Sequence, residues 1–314
     1  MLTGIYSIML STAGRAHAAL LFSGILFGAN YWIAKGLMPA FMQPMQIIFY
    51  RGLITVLLFY FFSLFSGNQK IEKGDMAKLA LCGLLGVAVN QVFFFTGLNY
   101  TSPVDTALIH AGSPLMVLGF SAWVNKEKAG YMKIAGILLG GTGAIMLVLQ
   151  GYSGSAGSNH LLGNLLIFIN ILAYSLYLVL VKPLMQKYNA ITVLKWVFAF
   201  GFLMVLPFSI TEAHTVNWST FTLNAWISIV YIIVGTTFLT YLLTTFSLRT
   251  LSAGTAGYYI YMQPFIASFI GIIFYDEKIT LIKVSAAVVV FAGVFMVLRP
   301  EVKKGAGKGL KAIP

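Results

Sequence analysis

Apolar residues fill this chain in long runs, and polar positions gather in short breaks between them. A helix needs roughly 20 apolar residues to cross the hydrocarbon of a bilayer. That ruler marks ten runs: about 17–38, 44–65, 76–98, 104–124, 131–149, 161–181, 191–210, 224–246, 254–275 and 280–298. The breaks carry turn or charge signals, among them MPAFMQP, SGNQKIEKGD, NKEKAG, GYSGSAGSNH and KPLMQKYN. No run alternates apolar and polar positions as a half-buried strand does, and lipid offers backbone groups no outside partner, so the runs predict helices. The expected fold class is all-α integral membrane, with ten transmembrane helices.

Composition agrees. Charged residues make up 9% of the 314 residues, against about a quarter in soluble domains, and the mean hydropathy is +0.88. The net charge of +12 is spread between the runs and into the tail RPEVKKGAGKGLK, without the basic stripe and readout element that nucleic-acid binding needs. Cys82 is the sole cysteine and lies in an apolar run, so neither disulfide, metal site nor cofactor is expected. The first fifteen residues lack a charged leader region; the run beginning near His17 reads as the first span, not a cleaved signal.

Lysine and arginine in short loops set orientation. One set of alternate segments holds Arg15, Lys70, Lys73, Lys78, Lys126, Lys128, Lys133, Lys182, Lys187, Lys195, Arg249, Arg299, Lys303, Lys304, Lys308 and Lys311. The other holds Lys35, Lys278 and Lys283. Sixteen against three puts both termini in the cytoplasm.

Sliding the chain by 150 positions lays runs four and five on nine and ten without a gap. Leu98 meets Leu248, Ser102 meets Ser252, Pro114 meets Pro264, Glu127-Lys128 meets Glu277-Lys278, Lys133 meets Lys283, and Gly143 meets Gly293. Five spans per half is an odd number, so the second half is expected upside down relative to the first. The expected organisation is a cytoplasmic segment 1–16, a first repeat 17–149, a connecting loop 150–160, a second repeat 161–299 and a basic cytoplasmic tail 300–314. Inverted repeats are a recurring plan of secondary transporters, with the site between the halves near the membrane midplane.

The segments FGANYWIAK (27–35), GLLGVAVNQVFFFTGLNYTSPVDTALI, FYDEKIT and FSLRTLSAGTAGYYIYMQPFIASFIG resemble EamA-type proteins of the drug/metabolite transporter superfamily. The resemblance covers roughly 16–299. It implies ten helices in two inverted five-helix repeats, cytoplasmic termini, a bacterial inner membrane, and export of amino acids or other small metabolites.

Carboxylates avoid the centres of the runs: Asp105 lies near the outer end of run four and the other acids lie in loops or at ends. Of the groups that titrate near neutrality, His110 is the one well inside a run; it suits a substrate carboxylate, a proton or a neighbouring carbonyl. Arg51, two turns inside run two, either attracts an anion or serves structure. Neutral polar groups near mid-run complete the expected cavity wall. The substrate-binding candidates are Asn30, Asn90, His110, Tyr174, Thr237, Tyr259 and Gln263, with Asn170 and Thr236 beside them. Pro114 has no N–H, so the carbonyl of His110 loses its helical partner, and Pro264 does the same to Ile260; both prolines are gating or kink candidates. Gly136, Gly140 and Gly143 form a small-residue face for packing between halves or in a dimer. Glu127 and Glu277 precede helices, where a carboxylate suits the positive helix end.

No nucleophile–base set or phosphate-cradling glycine loop is present, so no enzyme is expected. The reading is a secondary transporter, monomeric or homodimeric, exporting small metabolites such as amino acids, with a proton as a possible partner. Multidrug or nucleotide-sugar transport is the rival within transport, and a membrane scaffold or sensor the rival outside it.

Overall fold

A computed structural model of the chain describes residues 12–66, 69–126, 131–150, 159–276 and 280–298. Glu127, Lys128, Glu277, Lys278 and the tail 300–314 lie outside them. Among the described residues the chain is helical throughout: α1 Thr12–Leu37, α2 Pro44–Ser63, α3 Lys73–Tyr100, α4 Pro103–Val124, α5 Tyr131–Gln150, α6 His160–Lys187, α7 Ala190–Ala213, α8 Leu223–Leu248, α9 as Ala253–Ile260 with Met262–Tyr275, and α10 Leu281–Leu298. Eight of these are long and apolar enough to cross a membrane; α5 and α10 occupy the places of runs five and ten.

Local chemistry sets the starts. Pro44 and Pro103 open α2 and α4 at first-turn positions, where a missing N–H costs nothing. Ser102 Oγ accepts the Asp105 N–H at 3.0 Å, and Asn189 Oδ1 accepts the Thr192 N–H at 2.7 Å. Large apolar side chains such as Leu57, Phe208, Phe269 and Phe295 are exposed, the reverse of a water-soluble surface and the arrangement lipid favours.

Without a hydrophobic force between helices in lipid, close packing holds them together. Backbones meet where glycines face each other. A Cβ on Gly201 of α7 would stand 2.7 Å from the Gly83 carbonyl of α3, and one on Gly97 of α3 2.9 Å from the Gly163 carbonyl of α6. The glycine face of α5 packs on α10.

Helix contacts recur under the 150-residue shift. α1 packs on α9 as α6 packs on α4, α1 on α8 as α6 on α3, and α2 on α8 as α7 on α3. Helix irregularities recur too. Wide, π-helical turns occupy Leu84–Val89 in α3 and Tyr231–Leu239 in α8. α4 breaks after His110, at Ala111-Gly112, and α9 after Ile260, at Tyr261.

At one end of the bundle Asp75, near the start of α3, accepts from Lys78 at 2.8 Å, from Lys187 at 2.7 Å and from the Tyr188 hydroxyl at 2.9 Å. This knot ties α3 to the end of α6. Asp75→Asn is expected to lower the melting temperature in detergent, and rising salt to narrow the difference from the native chain. Identical melting at all salt concentrations would contradict the role.

Candidate functional site

The wide turn in α3 leaves backbone carbonyls open to side-chain donors. The Tyr241 hydroxyl of α8 donates to the Gly86 carbonyl at 2.7 Å, and Asn170 Nδ2 of α6 donates to the Asn90 carbonyl at 2.7 Å. These bonds hold α3, α6 and α8 around a central cavity. Its wall comprises Phe27, Asn30 and Tyr31 of α1, Arg51 of α2, Asn90 and Phe94 of α3 and His110 of α4, with Asn170 and Tyr174 of α6, Tyr241 of α8, and Ile260 and Gln263 of α9. It holds about 510 Å³ of empty space, its open end included. Among the described residues, α5, α7 and α10 contribute nothing to this wall.

Several of the polar groups are held by neighbours, while Asn170 Oδ1 has no hydrogen-bond partner. Gln263 Oε1 accepts from Tyr31 at 2.5 Å; Asn90 Oδ1 lies 3.3 Å from the Tyr241 hydroxyl, whose proton goes to Gly86, and the Thr236 hydroxyl divides its one proton between the Ile232 carbonyl at 3.0 Å and Asn30 Oδ1 at 3.2 Å. His110 Nδ1 is 2.9 Å from the Thr106 carbonyl. A carbonyl only accepts, so Nδ1 carries a hydrogen and a neutral ring leaves Nε2 as an acceptor. The rings of Tyr31 and Phe94 stand edge-on to this imidazole, with centroids at 5.6 and 5.9 Å.

Arg51 supplies the formal charge of the wall. It is 4% exposed, its guanidinium carbon lies 5.1 Å from the centre of the Phe95 ring, and its Nε has no hydrogen-bond partner. Among the described residues, no carboxylate lines the cavity.

The two ends of the cavity differ. Towards the starts of α1 and α9 it continues into a cleft lined by Leu20, Ser23, Gly24, Thr244, Ala256 and Tyr259, sharing Phe27, Tyr174, Ile260 and Gln263 with the cavity. At that cleft His17 Nδ1 meets the Tyr259 hydroxyl at 2.8 Å. The opposite side is closed. Trp32 donates to the Ala267 carbonyl at 2.7 Å and stacks on Tyr275, with centroids 4.1 Å apart. Lys35 donates to the carbonyls of Leu98, Asn99 and Thr101 at the end of α3. Lys283 Nζ of α10 lies 2.9 Å from Asp105 Oδ1 of α4.

Of the residues singled out from sequence, Asn30, Asn90, His110, Tyr174 and Gln263 meet on one cavity, together with Arg51 and Asn170. Tyr259 lies in the adjoining cleft. Thr237 is fully buried and donates to the Ile232 carbonyl of its own helix at 2.6 Å; it is off the wall. Pro114 lies under α9, 3.3 Å from where a Cβ on Gly257 would stand, and Pro264 borders an apolar groove with Phe265, Phe269 and Val288. Sequence reasoning missed Phe27, Tyr31, Phe94 and Tyr241. Phe94 follows Asn90 by four positions, a spacing that places both on one helix face. Nothing in the sequence pattern marks Tyr241, because the wide turn before it rotates the face of α8.

The model of the EamA-like transporter family matches this chain twice, over residues 14–149 and 161–299. An uncharacterized transporter of Archaeoglobus fulgidus is 26% identical over 278 residues, 88% of this chain and 95% of that one. An uncharacterized transporter of Bacillus subtilis (strain 168) is 25% identical over 243 residues, 77% and 74% of the two chains. A solved crystal structure shares the fold with a TM-score of 0.63 at 17% identity, covering 92% of this chain and 98% of that one.

Proposed function

Since the chain belongs to the EamA-like transporter family, we propose that it is a secondary transporter exporting small metabolites, amino acids among them, by alternating access through the central cavity. The observation that carries this reading is convergence: polar groups from α1, α2, α3, α4, α6, α8 and α9 face one space between two parts of the chain that match one family model. A scaffold has no use for such a space, and polar groups in lipid are costly without one. A nucleotide sugar carries several negative charges, and Arg51 alone is a poor match for them.

The recurrent contacts, wide turns and helix breaks support two five-helix repeats. Five spans in each repeat would give the two opposite orientations, and the loop charges support a cytoplasmic side for both termini. The cleft beside Tyr259 then faces the cytoplasm, and the layer of Trp32, Lys35 and the Asp105–Lys283 pair closes the outside. Export begins with entry through that cleft. Rocking of one repeat against the other, with give at the breaks after His110 and Ile260, then opens the outer layer.

Reconstituted protein in liposomes, loaded with a panel of amino acids and apolar metabolites, tests the reading. Counterflow above empty liposomes is expected for at least one solute; none across the panel would overturn it. His110 lines the cavity with Nε2 as an acceptor, which can take a proton when that side of the cavity opens to water. A pH gradient is therefore expected to accelerate flux in the native chain and in His17→Gln but not in His110→Gln, with counterflow retained in all three. An equal response to the gradient in His110→Gln would remove the proton role.

A further inference from the structure

We propose, on the basis of the transport reading above, that the cavity is an anion site: Arg51 anchors the carboxylate of a small substrate with an apolar or aromatic body. A guanidinium removed from water keeps its charge, and burial without a counterion is costly. Arg51 is 4% exposed and its Nε lacks a partner. The carboxylates that form ion pairs among the described residues are Glu72, Asp75 and Asp105, each engaged by lysine away from the cavity wall. No carboxylate among the described residues neutralises Arg51, so the passenger does.

Gln263 points the same way. The side-chain oxygen of Gln263 already accepts from Tyr31. Its free end is an amide N–H group, which complements a carboxylate. A planar guanidinium engages carboxylate oxygens in pairs, which fixes the ligand's orientation as well as its charge. Phe27, Phe94 and Ile260 leave apolar wall for the body of the ligand. Occupancy turns a positively charged cavity into a neutral one. That change lowers the cost of carrying Arg51 through the closed state between the two openings.

The test uses four ligands sharing one body: 3-phenylpropionate, L-phenylalanine, 3-phenylpropanamide and 3-phenylpropylamine. Binding to the full-length protein in dilute buffer is read by thermal shift, and movement by counterflow in liposomes. The acid is expected to bind tighter than the amide by about tenfold or more, the scale of one charge-assisted hydrogen bond. Arg51→Gln is expected to bring that ratio to about unity, and Arg51→Lys to keep part of it, since lysine retains charge without the paired geometry. An acid-to-amide ratio near unity in the native protein overturns the anion site, as does a ratio unchanged in Arg51→Gln, or binding of none of the four. If Arg51→Gln fails to fold, Arg51→Lys and the native ratio decide. Counterflow without acid preference removes the anion site and leaves transport standing; Arg51-dependent binding with no counterflow of any solute does the reverse.

Discussion

Gly293→Ala is expected to prise α10 from α5 and lower the melting temperature in detergent by several degrees, while Gly141→Ala leaves it unchanged. A Cβ on Gly293 would stand 2.5 Å from the Gly136 carbonyl oxygen, 2.5 Å from the Gly140 nitrogen and 2.7 Å from its Cα. All three are backbone atoms, so no side chain rotates aside. The helices must separate, and overpacking of this kind costs about 1–3 kcal/mol. Gly143, on the other face of the contact, is confined too, though less tightly: a Cβ there meets the Ala286 carbonyl at 2.9 Å. Gly141 belongs to the same helix, and a Cβ there would have nothing within 4 Å. Equal melting of the two variants would show that the α5–α10 contact is not a stabilising one.

That contact illustrates what the sequence could and could not convey. The small-residue face of α5 was visible at Gly136, Gly140 and Gly143, because glycine spacing is a local pattern. Its partner Gly293 was visible only as a repeat match, since which helices touch is a long-range fact. Helix positions were legible for the same local reason: the apolar run 44–65 corresponds to α2 Pro44–Ser63. The run 161–181 fell short of α6, which continues through Pro183 to Lys187. That last turn carries Lys187 to Asp75, and charged residues at a helix end look like loop in a hydropathy pattern.

The candidate site was legible in part. Buried amides and a mid-run histidine are costly in lipid, so Asn30, Asn90, His110 and Gln263 stood out and do share a cavity. Thr237 stood out for the same reason, but the wide turn Tyr231–Leu239 turns it onto its own backbone. Tyr31 and Tyr241 looked like ordinary membrane aromatics, and only the fold reveals their bonds to Gln263 and Gly86. The prolines announced the breaks after His110 and Ile260, where the missing N–H acts locally.

Lys283→Gln is the second large effect. The ion pair with Asp105 joins α4 to α10, and the two side chains are 8% and 14% exposed. Removing the lysine takes from the largely buried Asp105 carboxylate its cation, a loss on the order of 3 kcal/mol. Asp105→Asn is expected to be harmful too, and the double variant to recover much of the stability because both charges of the pair are gone. The pair also belongs to the closed side of the cavity. The double variant is therefore expected to let water-soluble reagents reach that side more readily than in the native chain. A double variant as unstable as the sum of the singles would show that the two residues act independently.

Alternating access through one cavity is the central claim, and paired cysteine accessibility tests it most directly. Cys82 is buried and is the chain's one cysteine, so a Cys82→Ala background accepts single reporters at Tyr259→Cys in the cleft and Ala107→Cys in the closed layer beside Tyr31 and Ala267. Membrane-impermeant thiol reagents are then applied from each face of sealed vesicles, with and without a transported solute. The account predicts that position 259 reacts from the cytoplasmic face and position 107 from the outer face, and that solute shifts the two rates in opposite directions. Reaction of both positions from the same face, or rates that solute leaves unchanged during measurable flux, would contradict it.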